Sequence, residues 1–192
     1  MRPSVVILCA ALFLSIGTAA ADDAFHPVPA APDQVGSLEL RVVSYGNGIH
    51  GEMEVELRNP GDAPAVFFAS GLYFVPDDDG GEAPQRLGIV GGIRAGVEGA
   101  PRRAVEVAAG ATRKVRFDVY CVDRWRHGPG SATTYSLAPA RMPAKLLAAI
   151  DANTAPLLTG HIGAADDRLQ QQIQDLVWSM RRAVRVRLAG ER

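Results

Sequence analysis

Two stretches of strict alternation constrain this chain more than anything else in it. In residues 52–58, EMEVELR, Met53, Val55 and Leu57 fall on one side, and Glu52, Glu54, Glu56 and Arg58 on the other. In residues 113–121, RKVRFDVYC, Val115, Phe117, Val119 and Cys121 share one side, opposite Arg116, Asp118 and Tyr120. Strand side chains point alternately to the two faces of a sheet, so each stretch predicts a half-buried strand.

Shorter β-rich runs surround these two. Residues 38–45 (LELRVVSY) precede the turn residues Gly46, Asn47 and Gly48. Asn59-Pro60-Gly61-Asp62 is a strong turn. Residues 65–75 (AVFFASGLYFV) contain Gly71, which predicts a bulge or a break between two short strands. Residues 85–90 and 104–108 read as weaker strands around the glycine-rich loop 91–100. Seven or so short strands separated by turns predict an immunoglobulin-like β-sandwich over 37–122, without the Cys…Trp…Cys spacing of true immunoglobulin domains. After Cys121 the character changes. Residues 123–141 are loop-like, and 143–153 predict a short helix with Pro143 at its start. Residues 167–181 predict a second helix, capped by Asp166 or Asp167, with Leu169, Ile173, Leu176, Val177 and Met180 on one face. Residues 183–188 (AVRVRL) return to period two and predict a closing strand. The expected class is therefore mainly β (α+β), with residues 123–192 packed on the sandwich as part of one domain.

The N-terminus reads as an export signal. Arg2 precedes an apolar run from Val5 to Ile16, and Ala19 and Ala21 suit signal peptidase, which places cleavage after Ala21. Cys9 lies within the run and lacks the context of a lipoprotein cysteine. Residues 22–36 contain three prolines and predict a flexible lead-in. Loss of residues 1–21 removes Arg2 and no acid, leaving a net charge of about −2, which argues against nucleic acid as a partner. The expectation is a periplasmic or secreted chain with no membrane span in its mature part.

Export leaves Cys121 as the sole thiol, and exported proteins rarely keep an unpaired one. Its phase with Val119 and Phe117 points inward, which suits a small buried hydrophobe. A disulfide to another molecule and a nucleophile paired with His127 are alternatives; for the latter no orienting group or oxyanion element is identifiable. A fourth reading involves Gln174 and Trp178. On a helical wheel Trp178 falls opposite the Leu169/Ile173/Val177 stripe, with Gln174 beside it. That helix is covered on both sides, or its Trp178 face meets a partner. Were that face turned to the end of the Cys121 strand, the thiolate would attack the glutamine amide, expel ammonia and leave an internal thioester.

Tyr120-Cys121-Val122-Asp123, followed by Gln174-Asp175-Leu176-Val177-Trp178, resembles the paired motifs of bacterial surface thioester domains. The resemblance implies Cys121 as the thioester cysteine, Gln174 as the amide donor and Trp178 as a packing residue. Ile173 and Leu176 depart from the threonine and alanine usual in that family, and no wall-sorting signal is present. The stretch 52–121, with Asn59-Pro60, SGLYF and Gln85, is also similar to the β-domain of uncharacterised exported bacterial proteins. That likeness implies a structural role for Cys121 and Trp178 where sheet meets helix, with Tyr120 as a packing or interaction residue.

Other groups carry less chemistry. Asp77, Asp78 and Asp79 lack the spacing of a calcium loop, and His26, His50, His127 and His161 lack zinc-ligand spacing. Arg181, Arg182, Arg185 and Arg187 form a basic patch suited to an anionic surface or to solvation. No phosphate loop or nucleophile elbow occurs. The expected function is a non-catalytic accessory or binding domain of the cell envelope, with no cofactor or metal and a protein or other envelope component as partner. The alternative is covalent capture through Cys121 and Gln174.

Overall fold

A computed structural model describes residues 24–46, 50–77, 84–93, 102–130, 132–159 and 166–188. The expected leader 1–21 with Cys9, most of the glycine-rich loop, Asn47, Gly48, Asp78, Asp79 and His161 lie outside the described residues.

The two alternating stretches become the longest strands and pair with each other. They are β3 (His50–Arg58) and β8 (Thr112–Cys121), antiparallel with Val55 opposite Val115. Met53, Val55, Leu57, Phe117, Val119 and Cys121 are completely buried on one face. On the other, Arg116 pairs with Glu54 at 2.9 Å and Arg41 with Glu56 at 2.7 Å, a solvated charge ladder.

Around this pair stand β1 (His26–Pro27), β2 (Glu39–Tyr45), β5 (Tyr73–Pro76), β6 (Leu87–Ile89) and β9 (Tyr135–Leu137). They form one antiparallel sheet in the order β1-β2-β3-β8-β6-β5-β9. The sheet curls nearly into a barrel. The rings of Tyr45 on β2 and Tyr135 on β9 meet edge to face, 5.5 Å between centroids. A separate ribbon of β4 (Ala65–Phe68) and β7 (Ala104–Val107) contributes Ala65, Phe67, Val105 and Val107 to the enclosed core. The mainly β expectation holds. Two facing sheets of immunoglobulin type are not seen among the described residues; one curled sheet encloses the interior instead.

Two helices follow, α1 (Ala144–Leu158) and α2 (Asp167–Val184). The carboxylate of Asp166 accepts from the Leu169 N–H at 2.8 Å, as its capping position predicts. Leu146, Ile150, Leu169, Ile173 and Val177 form a second apolar cluster with Tyr73, Tyr120 and Val122 from the outer face of the sheet. The fit is close at Gly88, where a Cβ would lie 2.2 Å from the end of Met142. At its end β8 is therefore buried on both faces: Val119 and Cys121 point to the interior, Tyr120 and Val122 to the helices.

Four expectations need correction. The closing strand at 183–188 is absent: α2 runs to Val184, Arg185 takes a left-handed conformation (φ 49°), and the Arg181 guanidinium donates to the Val186 carbonyl. That capping contact and the burial of Leu188 in the helix-side cluster explain why period two here makes no strand. The loop-like 123–141 contains β9, too short at three residues to show a period. Helix α1 continues past 153 through Pro156, with the Thr154 hydroxyl bonding back to Ile150 at 3.0 Å. The lead-in 22–36 supplies β1, paired with β2, and Val35 bridges to Val66. Gly71 does separate β4 from β5, with φ at 77°. No helix among the described residues is long and apolar enough to cross a membrane.

Candidate functional site

The end of β8 is where the singled-out residues converge. Described pairing with β3 stops at His50 opposite Tyr120, one residue short of Cys121. On that side no described strand residue faces the Cys121 backbone, and a buried amide without a partner is costly. The side chain of Gln174, completely buried on α2, fills the position. Its Oε1 accepts from the Cys121 N–H at 2.9 Å, and its Nε2 donates to the Cys121 carbonyl at 2.7 Å. Cys121 and Gln174, singled out in the sequence as a candidate pair, are brought together, with the amide clamped to the backbone.

The Cys121 thiol belongs to the interior cluster and has no exposure. Burial, reinforced by the Asp123 carboxylate, pushes its pKa far above the ordinary thiol range, so it stays protonated. His127 is exposed on the following loop. The exposed, low-pKa thiol that a cysteine–histidine hydrolase needs is not what Cys121 is. Tyr120 points the other way, into the helix-side cluster, its ring 6.3 Å from that of His50.

Asp123, the acid of the quoted motif, grips the buried Arg86: Nε to Oδ2 and Nη2 to Oδ1, both 2.6 Å. The side chains are 2% and 0% exposed. Neighbouring Gln85 donates through Nε2 to the Arg126 carbonyl at 2.7 Å, and its own carbonyl accepts from the Tyr135 hydroxyl at 2.8 Å. These contacts fix the start of the 123–127 loop. Sequence reasoning singled out Gln85 and Asp123 without seeing that Arg86 joins them; a lone arginine in an apolar strand, QRLGIV, was the available signal.

The fixed loop places Trp125 and Arg124 beside α2. Trp125 is 66% exposed, one of two large hydrophobic residues so displayed among the described residues. The contacts are reciprocal: the Arg124 guanidinium lies 5.6 Å from the Trp178 ring, and that of Arg181 lies 5.5 Å from the Trp125 ring. Trp178 itself is half-buried and packs against the interior cluster, so both sides of α2 meet the sheet structure. Together with Arg182 and Arg185 these residues line a half-open cavity of about 300 Å³ that no acidic residue touches. Among the described residues no carboxylate lies within ion-pair distance of Arg124, Arg182 or Arg185. Three of the four arginines of the expected basic patch belong here or beside it; Arg187 is exposed and does not line the cavity. Trp125 was missed, although a tryptophan in the polar loop DRWRHG was its signal.

The remaining candidates do not assemble. Asp77 is exposed and accepts from the Ser136 hydroxyl. Among the described residues no three His, Cys, Asp or Glu side chains are grouped to hold a metal. Compared with known proteins, the chain matches no family model, no curated protein and no solved structure.

Proposed function

We propose that this chain is an exported, non-catalytic binding domain of the cell envelope, whose ligand is taken at the cavity between Trp125 and Trp178. The observation that carries the reading is the cavity itself: two tryptophans and four arginines around a concave space, without the nucleophile–base pair of a catalytic site in its lining. The Gln174–Cys121 clamp supports it, because it locks α2 against β8 and so sets Trp178 opposite Trp125. Export rests on the leader-like residues 1–21. The test is the intact mass of the protein recovered from the envelope fraction of its own cells. A chain beginning at Asp22, with the full sequence mass and no change on methylamine treatment, is expected. An uncleaved chain or a cytoplasmic location overturns the reading.

A second reading is covalent capture, favoured by the placement of Gln174 on Cys121 in a dry junction. The thiol would lose its proton, its sulfur would attack the Gln174 amide carbon, and the C–N bond would break to release ammonia. That requires the amide to turn from the Cys121 backbone to its sulfur. A native mass one ammonia below the sequence value, raised on treatment by the mass of one methylamine to slightly above the sequence value as the thiol is freed and the Gln174 side chain becomes an N-methylamide, supports this reading; a full native mass overturns it.

A further inference from the structure

We infer that the Trp125–Trp178 cavity binds a small organic anion, a phosphate ester with a planar or apolar body. The inference rests on the binding-domain reading above and names its ligand class. Three observations on the cavity converge. First, the charge is one-sided: Arg124, Arg181, Arg182 and Arg185 line the space and no acid does, so the site attracts an anion and offers it forked donors. Second, the two rings give the anion's body a surface to stack on; an exposed indole loses water favourably when a flat group covers it. Third, the size, about 300 Å³, suits a molecule with a few ring atoms and one charged group, and is larger than a bare inorganic ion requires.

The arginines also differ in their freedom. Arg181 is buried and holds the Val186 carbonyl, and it belongs to the scaffold. Arg124, Arg182 and Arg185 are exposed, with no carboxylate partner among the described residues, so they are the side chains available to close on a phosphate. Loop and helix each contribute one tryptophan and at least one arginine, so ligand binding bridges the 123–127 loop to α2.

The chain contains two tryptophans, and both line this cavity. Intrinsic fluorescence therefore reports on the site alone. The experiment titrates the mature protein with phenyl phosphate, inorganic phosphate and phenol, following tryptophan emission and repeating each titration by calorimetry. Phenyl phosphate is expected to saturate, with inorganic phosphate and phenol each at least about tenfold weaker, since each lacks half of the recognised chemistry. The exposed substitutions Arg124→Ala and Arg182→Ala together are expected to weaken phenyl phosphate by about tenfold or more, and Arg187→Ala, outside the cavity, to change it less than about twofold. Competition by phosphatidylglycerol vesicles, with none by phosphatidylcholine vesicles, would place the phosphate on a lipid headgroup; no competition would place it on a free solute. No saturable response to phenyl phosphate up to about 10 mM, equal binding of phenol, or indifference to the double substitution overturns the inference. Such a failure leaves the mass and location test of the binding-domain reading untouched.

Discussion

Gln174 and Cys121 are joined as two neighbouring strands would be, through one accepted and one donated hydrogen bond, although one partner is a side chain on a helix. The amide stands one residue beyond the described end of β3. The sheet end and the helix, which also pack through Tyr120, Val122, Ile173 and Val177, are thereby hydrogen-bonded at this residue.

Gln174→Ala leaves the Cys121 N–H and carbonyl buried without partners on that side. We expect a loss of about 2–4 kcal/mol, read as a lower urea midpoint with the slope unchanged. Gln174→Glu keeps the acceptor, loses the donor and buries a carboxylate beside a carbonyl, so it should be at least as destabilising. A Gln174→Ala protein as stable as the parent would show that the clamp is ornamental.

Alkaline pH should loosen the interior in two stages. Burial raises the pKa values of Cys121, Tyr45 and Tyr135; Cys121 adds to the effect at Tyr45, and Tyr45, Cys121 and Asp123 add to it at Tyr135. The folded state then keeps protons that the unfolded chain releases, so stability is full below the unfolded values and falls as pH rises. The decline should begin near pH ~8.5, where a free thiol ionises, at up to about 1.4 kcal/mol per pH unit, and steepen near pH ~10 as the tyrosines join. Cys121→Ala should abolish the first stage and keep the second. Denaturant midpoints at a series of pH values measure both; a flat profile from neutral pH through the first stage contradicts the burial of the thiol.

The Arg86–Asp123 pair invites a double-substitution test. Removing Asp123 takes the carboxylate from a guanidinium with 2% exposure, and removing Arg86 leaves the buried Asp123 only the longer contact to Arg126 at 3.9 Å, so either should cost about 3 kcal/mol. Replacing both, as Arg86→Met with Asp123→Leu, should cost much less than the sum of the single losses. If the two losses simply add, the pair is not acting as a unit.

The legible parts of this fold are those where one face is wet. Along β8, Lys114, Arg116 and Asp118 mark the solvated side, and the pattern turns apolar at Tyr120 and Val122, where the helices cover the sheet. In the alternation Tyr120 falls with Arg116 and Asp118, which hides that switch; Cys121 with the later Gln174 and Trp178 is what points to a sheet–helix junction. The curl of the sheet was not readable, because β9 and β6 have three residues each and their partners are set by tertiary contacts. AVRVRL misled because an alternating pattern says which side chains alternate, not whether a neighbouring strand is present to pair with them. Arg86 was hidden for a related reason: its ion pair spans 37 positions, and nothing local announces Asp123 as its partner.

Arg141, silent in the sequence, gives the last prediction. From the segment that leads into α1 its guanidinium donates to the carbonyls of Pro29 (2.9 Å), Ala30 (3.1 Å), Phe68 (3.0 Å) and Ser70, and to Oε1 of Gln34 (3.1 Å). One side chain thus binds the N-terminal segment, the end of β4 and the approach to α1. No carboxylate is among these partners, and burial lowers its pKa to about 10, which still leaves it charged at neutral pH. The fork is what matters, since a lysine has one nitrogen and cannot reach carbonyls on both segments at once. Arg141→Lys should therefore lose about 2 kcal/mol, nearly as much as Arg141→Ala, despite keeping the charge. Hydrogen exchange should rise first at Val28 and Val66, whose N–H groups bond to Leu38 and Val35 within the tethered segment. Full rescue by lysine would mean that charge alone, and not the fork, holds the segment in place.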